Sequence, residues 1–151
     1  SGSVHATSYY GDGSNLTGIA AGSVSGSQRV YSSTGLETSG YLKVSGSTFI
    51  SGSVTHKRKF VNSDYSVSTT DYYIGVDTTA NTVKLTLPTA TTLLDGQTMV
   101  VKDEGGVANV NHITISGSAS DTIDGQNQVV LESPFASIQL YCNGANKFFI
   151  C

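Results

Sequence analysis

From residue 60 to the C-terminus, apolar and polar positions alternate in short runs separated by turn-forming residues. Phe60-Val61 and Tyr65-Ser66-Val67 open the series, and Tyr72-Tyr73-Ile74-Gly75-Val76 follows, ended by Asp77-Thr78-Thr79-Ala80-Asn81. Val83-Lys84-Leu85-Thr86-Leu87 keeps strict period two, the mark of a half-buried strand, and Pro88 closes it because proline has no amide donor for a ladder. Residues 89–94 read as a turn of helix or 3₁₀ closed by Asp95-Gly96. Further strands are expected at 98–102, 112–115, 128–131, 137–141 and 147–150. The groups Asp103-Glu104-Gly105-Gly106, Ser116-Gly117, Asp124-Gly125 and Asn143-Gly144 stand between strands as the punctuation of an all-antiparallel sandwich or barrel. No window carries a 3.6-residue period, so the fold class is all-β with almost no helix.

Before residue 60 the pattern is different. Ser39-Gly40-Tyr41-Leu42-Lys43-Val44, Ser45-Gly46-Ser47-Thr48-Phe49-Ile50 and Ser51-Gly52-Ser53-Val54-Thr55-His56 are consecutive six-residue blocks that each open on Ser-Gly. Their fourth and sixth places alternate as one face of a short strand, with Leu42, Val44, Thr48, Ile50, Val54 and His56 inward. So thin a unit buries that face only against copies of itself, along the chain or on another chain. The division follows: residues 1–58 form a fibre shaft segment and residues 59–151 a compact C-terminal head.

Composition narrows the function. Charged residues are 13% of the chain and the net charge is -3, with a sequence pI near 5.4, so nothing draws the protein to nucleic acid or to an anionic membrane. Lys57-Arg58-Lys59 is the one basic run and reads as a solvated collar between shaft and head. No stretch approaches the ~20 apolar residues of a membrane span, and the start has no basic region followed by an apolar one. The chain begins at Ser1, which the fibre reading takes as the C-terminal part of something longer, and the sequon Asn15-Leu16-Thr17 means little without a secretory signal. If Asn143-Gly144 turns a hairpin, Cys142 sits beside the turn and Cys151 well up the returning strand, so two free thiols are expected.

Tyr10-Gly11-Asp12-Gly13-Ser14-Asn15-Leu16-Thr17-Gly18-Ile19 is a tight turn followed by apolar anchors; it has no downstream acid for calcium and no lysine for phosphate. This stretch resembles a module that recurs in tail-fibre and other virion structural proteins of tailed bacteriophages. The Ser-Gly blocks and the preceding Ser33-Thr34-Gly35-Leu36-Glu37-Thr38-Ser39-Gly40 are similar to the thin β-rich shafts of those proteins. The ordered set Tyr73 to Asp77, Leu87-Pro88, Val101 to Gly106, Asp121-Thr122-Ile123-Asp124-Gly125 and Asn143-Gly144 to Phe148 resembles a C-terminal domain common in phage fibres. The resemblance implies a homotrimer: an elongated trimeric β shaft followed by a compact antiparallel β-sandwich-like head, located in the virion, assembled in the host cytoplasm, and joined to other virion proteins through the upstream shaft.

Candidate chemistry is sparse. His5, His56 and His112 form no ligand cluster; His56, at an inward place, would meet its copies in a trimer but reads as a polar filler, and no metal or cofactor is expected. Asp121 and Asp124 are near enough to suggest a sugar-cleaving pair, yet Asp124-Gly125 is a turn signature that Asp121 would support. The function expected is therefore structural and adhesive, not enzymatic, with a polysaccharide-degrading enzyme or a free-standing lectin as the alternative. Loops at one end of the head would present Asn81, Asn109, Asn111, Asn127, Asn143 and Asn146 to a host cell-surface glycan or protein.

Overall fold

A computed structural model describes residues 44–151. The Tyr10 to Ile19 element, the 33–40 stretch, His5 and most of the first Ser-Gly block lie outside the described residues. Phe49–Cys151 forms a compact unit of its own. Its strands are β1 (Arg58–Val61), β2 (Tyr65–Ser66), β3 (Tyr73–Val76), β4 (Val83–Thr86), β5 (Thr98–Asp103), β6 (Ile113–Ser116), β7 (Thr122–Ile123), β8 (Gln128–Leu131), β9 (Ser137–Cys142) and β10 (Lys147–Ile150). A 3₁₀ turn, Ala90–Thr92, stands where a single turn was expected, and no α-helix occurs among the described residues. The described residues are all-β, as the alternation predicts; of their strands β7 escapes the pattern, having two residues and so no period to show.

The strands form two mixed sheets, β1-β3-β5-β9-β10-β7 and β2-β4-β6-β8. The expected antiparallel arrangement is corrected here: β1, β3 and β5 run parallel, as do β2, β4 and β6, and β7 runs parallel to β10. Among the described strands antiparallel pairs are β5 with β9, β9 with β10 and β6 with β8, and a single antiparallel bridge joins Ile123 to Gln126. The physical reason is the path. From β1 to β9 every connection passes from one sheet to the other; through β7 the chain re-enters each sheet in the same direction, β8 and β9 enter reversed, and only β9 to β10 is a hairpin. The turn residues between strands mark corners between sheets, and a corner uses the same Gly, Asn and Asp chemistry as a reversal.

Both sheets bury one face in a shared cluster. Ile74, Val76, Met99, Val101, Leu140 and Phe148 come from the six-stranded sheet, and Val83, Leu85, Ile113, Ile115 and Leu131 from the four-stranded one. The alternation in β5 shows how the sequence specifies this: Met99, Val101 and Asp103 are buried, while Thr98, Val100 and Lys102 are only partly covered. Asp121 fixes one corner. Its carboxylate is buried and accepts the Ala90 amide at 2.8 Å, supplying the cap that Thr89 does not give the 3₁₀ turn. Asp124 lies in the following turn with φ +48, where its Oδ1 accepts the Ile150 amide at 3.4 Å. Gly117 holds the same corner, since a Cβ there would overlap the carbonyl oxygen of Asp121, a backbone atom with little room to yield. Gly117→Ala is expected to destabilise the unit by about 1–3 kcal/mol, read as a lowered thermal midpoint at fixed chain concentration.

The thiols occupy the places expected of them. Cys142 is buried opposite Phe148, and Cys151 is exposed with its amide on the Gln139 carbonyl. That separates them by about 10 Å along the hairpin, beyond disulfide reach. Burial pushes the Cys142 thiol up from its ordinary value.

Upstream of β1, residues 49–57 carry no strand pairing and are exposed, so the expected short strand does not form within one chain; a strand needs a ladder partner, and none is offered there. The six-residue period is nevertheless written in the backbone. Gly46 has φ +140 and Gly52 has φ +146, the same glycine-only region at the same place in successive blocks, with open space around both.

Candidate functional site

Register divides the loops between two ends of the sheets. Loops 77–82, 104–112 and 132–136 lie where β3, β5 and β8 finish and β4, β6 and β9 begin. Loops 67–72, 87–97, 117–121, 124–127 and 143–146 lie at the opposite end. The six asparagines are therefore split: Asn81, Asn109 and Asn111 are at one end, and Asn127, Asn143 and Asn146 at the other.

Two of them are occupied in building their own loops. Asn143 Oδ1 accepts the amides of Ala145, Asn146 and Lys147 at 3.0, 3.0 and 2.9 Å, which shapes the hairpin turn. Asn111 Nδ2 donates to the Thr78 carbonyl at 2.7 Å and ties 104–112 to 77–82. Asn81, Asn109, Asn127 and Asn146 are exposed.

Asp103 organises the first end. Burial favours its neutral acid, but the Thr78 hydroxyl and the amides of Phe135, Ala108 and Gly106 together outweigh that and hold the carboxyl below its usual range. The four donors come from all three loops, so one buried carboxylate ties the end together. Phe135 is fixed there with φ +58, a left-handed backbone that is costly for an aromatic residue, while its ring stays exposed.

The opposite end carries a cleft of about 330 Å³, lined by His56, Thr69, Thr70, Asp71, Tyr72, Gly96, Gln97 and Thr98. Its aromatic wall is built by His56 lying flat on Tyr72, ring centroids 3.9 Å apart, with Tyr73 edge-on to both. His56 thus acts as a stacking partner. Its floor is Asp71, which accepts the Ser68 amide and the Tyr65 hydroxyl, each at 2.9 Å, and pairs with Lys57 at 3.2 Å. Burial opposes ionisation of Asp71, yet these three partners together lower its pKa. The Tyr65 phenol shifts up, through burial and then through its bond to Asp71.

Gln97 closes the cleft by donating to the Thr69 carbonyl at 2.7 Å and accepting the Leu94 amide at 3.2 Å. Hydroxyls, an amide and an aromatic wall suit a small polyhydroxylated ligand, and the volume is at the lower end for a small-molecule site. None of the six asparagines lines it. The sequence signal for this cleft was Thr69-Thr70-Asp71-Tyr72-Tyr73 beside the Gln97-Thr98 corner, a polar run ending in aromatics. Among the described residues no cluster of His, Cys, Asp and Glu has the arrangement of a metal site. No protein-family model matches the sequence, and a comparison with curated proteins finds no match.

Proposed function

We propose that this chain is the C-terminal part of a tailed-phage fibre or related virion appendage. It is a homotrimer in which a shaft of residues 1–58 leads into a β-sandwich head that attaches to the host surface, and it is an adhesive, architectural part without catalytic chemistry. The observation that carries the reading is the recurring geometry of Gly46 and Gly52 at a spacing of six, together with Val44 and Ile50, the sixth residues of successive blocks, left 50% and 59% exposed. Apolar side chains presented at a regular interval without a covering layer are what a segment completed by sister chains looks like before they are added. The cleft beside His56 and Tyr72 supports an attachment role, because aromatic planes and neutral hydrogen-bonding groups match the faces and hydroxyls of sugars. Three heads side by side would raise a weak contact by ~10² to 10⁴ in avidity.

The test is incubation of the full chain with a panel of bacterial surface polysaccharides. The expected result is retention without shortening of the polysaccharide, weakened about tenfold by Tyr72→Ala, the equivalent of roughly 1.4 kcal/mol of lost contact. Shortened chains would mean a glycan-active enzyme instead. No retention by any polysaccharide or host cell would remove the adhesive half of the reading, and retention indifferent to Tyr72→Ala would remove the cleft from it.

A further inference from the structure

The two sheets turn unlike faces to solvent. On the four-stranded sheet the outward positions are Ser66, Lys84, Thr86, Thr114, Ser116 and Gln128, with Val130 the apolar exception. On the six-stranded sheet the outward positions include Phe60, Tyr73, Val100, Tyr141 and Phe149. Tyr73 pairs with Val100, and Thr98 with Tyr141, which pairs in turn with Phe149. The last two rings stack at 5.1 Å. Phe60, Tyr73 and Tyr141 are 48%, 42% and 36% exposed, a concentration of aromatic surface that a lone soluble domain seldom leaves uncovered.

Of the three cations on this face, Arg58 and Lys102 have partners within it, and Lys147, two residues before Phe149, is exposed at the start of β10. Arg58 is bonded to Glu104 through Nε and Nη2. Lys102 donates to the Phe135 carbonyl and lies over the Phe135 ring at 5.6 Å. Covering the β1-β3-β5 part of the face would leave no cation without a partner, which removes the largest penalty against burying it. Phe135, at the lip, adds an exposed ring held at a strained backbone position that the isolated unit does not need for its core.

We propose that the outward face of the six-stranded sheet is where sister copies of this chain meet, sheet towards sheet around the fibre axis, with the polar face of the other sheet left to solvent. The occupant follows from where the chain enters. The last Ser-Gly block ends at His56, β1 begins at Arg58, and β1 is the edge strand of this same sheet and carries Phe60 on the face in question. Any assembly that gathers the Ser51 to His56 blocks of sister chains delivers β1 and its neighbours to the same axis. A lipid surface would instead call for a ring of unpaired cations around the aromatics, and Arg58, in register with Tyr73 and over the Phe60 ring, is paired with Glu104.

This inference rests on the trimeric reading and narrows it to one face. Light scattering of the full chain at micromolar concentration tests both separately. Wild type is expected at three chain masses, Phe60→Asp with Tyr141→Asp at one, and Val130→Asp, on the other sheet, still at three. A wild-type mass of one chain sinks the trimer and this face together. A trimer that survives Phe60→Asp with Tyr141→Asp overturns the face alone. Should that variant not fold, the milder Tyr73→Ser with Tyr141→Ser is expected to weaken assembly by about tenfold or more, and unchanged assembly overturns the proposal. A monomeric wild type whose binding to anionic vesicles or to polysaccharide is abolished by Tyr141→Asp assigns the face to that partner and equally overturns it.

Discussion

Replacing Asp103 with alanine is expected to destabilise the Phe49–Cys151 unit by about 3–4 kcal/mol, since several donors around a buried acceptor lose it at once and each orphaned group costs about 1–3 kcal/mol where water cannot replace the carboxylate. The Thr78 hydroxyl and the Ala108 amide sit in buried bonds, at 2.7 and 3.2 Å, whereas the Gly106 and Phe135 amides at 3.0 Å are only part-buried and recover some hydration. Asp103→Asn keeps one acceptor oxygen and should lose about half as much. Urea unfolding of the full chain reads the difference, and a loss under 1 kcal/mol for Asp103→Ala would mean that the three loops do not depend on this node.

The same residue gives the pH dependence its sign. Asp103 and Asp71 both have folded pKa values below their ordinary ones. A carboxyl whose pKa is depressed by folding contributes stability that is fully present above its unfolded value, near 3.9, and is lost as the pH falls through the folded value. The urea midpoint is therefore expected to be flat above about pH 5 and to fall steeply below about pH 4, and less steeply in Asp103→Ala than in wild type. A midpoint that rises on acidification would contradict this.

Phe148→Ala is expected to cost about 3–5 kcal/mol, the range for emptying a buried aromatic site in a packed core. Phe148 is fully buried in β10, set between Cys142 of β9 and Ile123 of β7. It is therefore the side chain that joins the terminal hairpin and the short β7 to the rest of the interior. Val130→Ala, on the outward face of the other sheet, should stay within about 0.5 kcal/mol. Equal effects at the two positions would mean that the interior is not where the alternation places it.

Strand positions were legible because a strand half-buried against a core writes its own alternation. Val83-Lys84-Leu85-Thr86 gave its inward residues directly, whereas Met99-Val100-Val101, three apolar residues in a row, placed a strand without saying which sides face in. The loop chemistry was less so. Asp103 read as a turn acid, as did Asp121, because a carboxylate that caps a neighbouring loop and one that merely faces water have the same local sequence; only the fold brings Thr78, Ala108 and Phe135 to the first and Ala90 to the second. The asparagine loops were grouped at one end on the assumption of hairpins, and crossing between sheets put half of them at the other. The polar run 69–73 stands in the sequence, but only the fold brings it to His56 and the 96–98 corner to make the cleft.

The sequence by itself determined that residues 60–151 are built of strands, where all but β7 lie and, in strictly alternating runs such as 83–87, which side is apolar, because these depend on period and on turn residues within a few positions of one another. Only the tertiary structure decided that consecutive strands alternate between sheets, that β1, β3 and β5 and likewise β2, β4 and β6 run parallel, which loops share an end, and that one outward face is aromatic while the other is polar. Direction and neighbourhood depend on pairings between residues far apart in the chain, and a turn motif carries no information about which sheet the chain enters next.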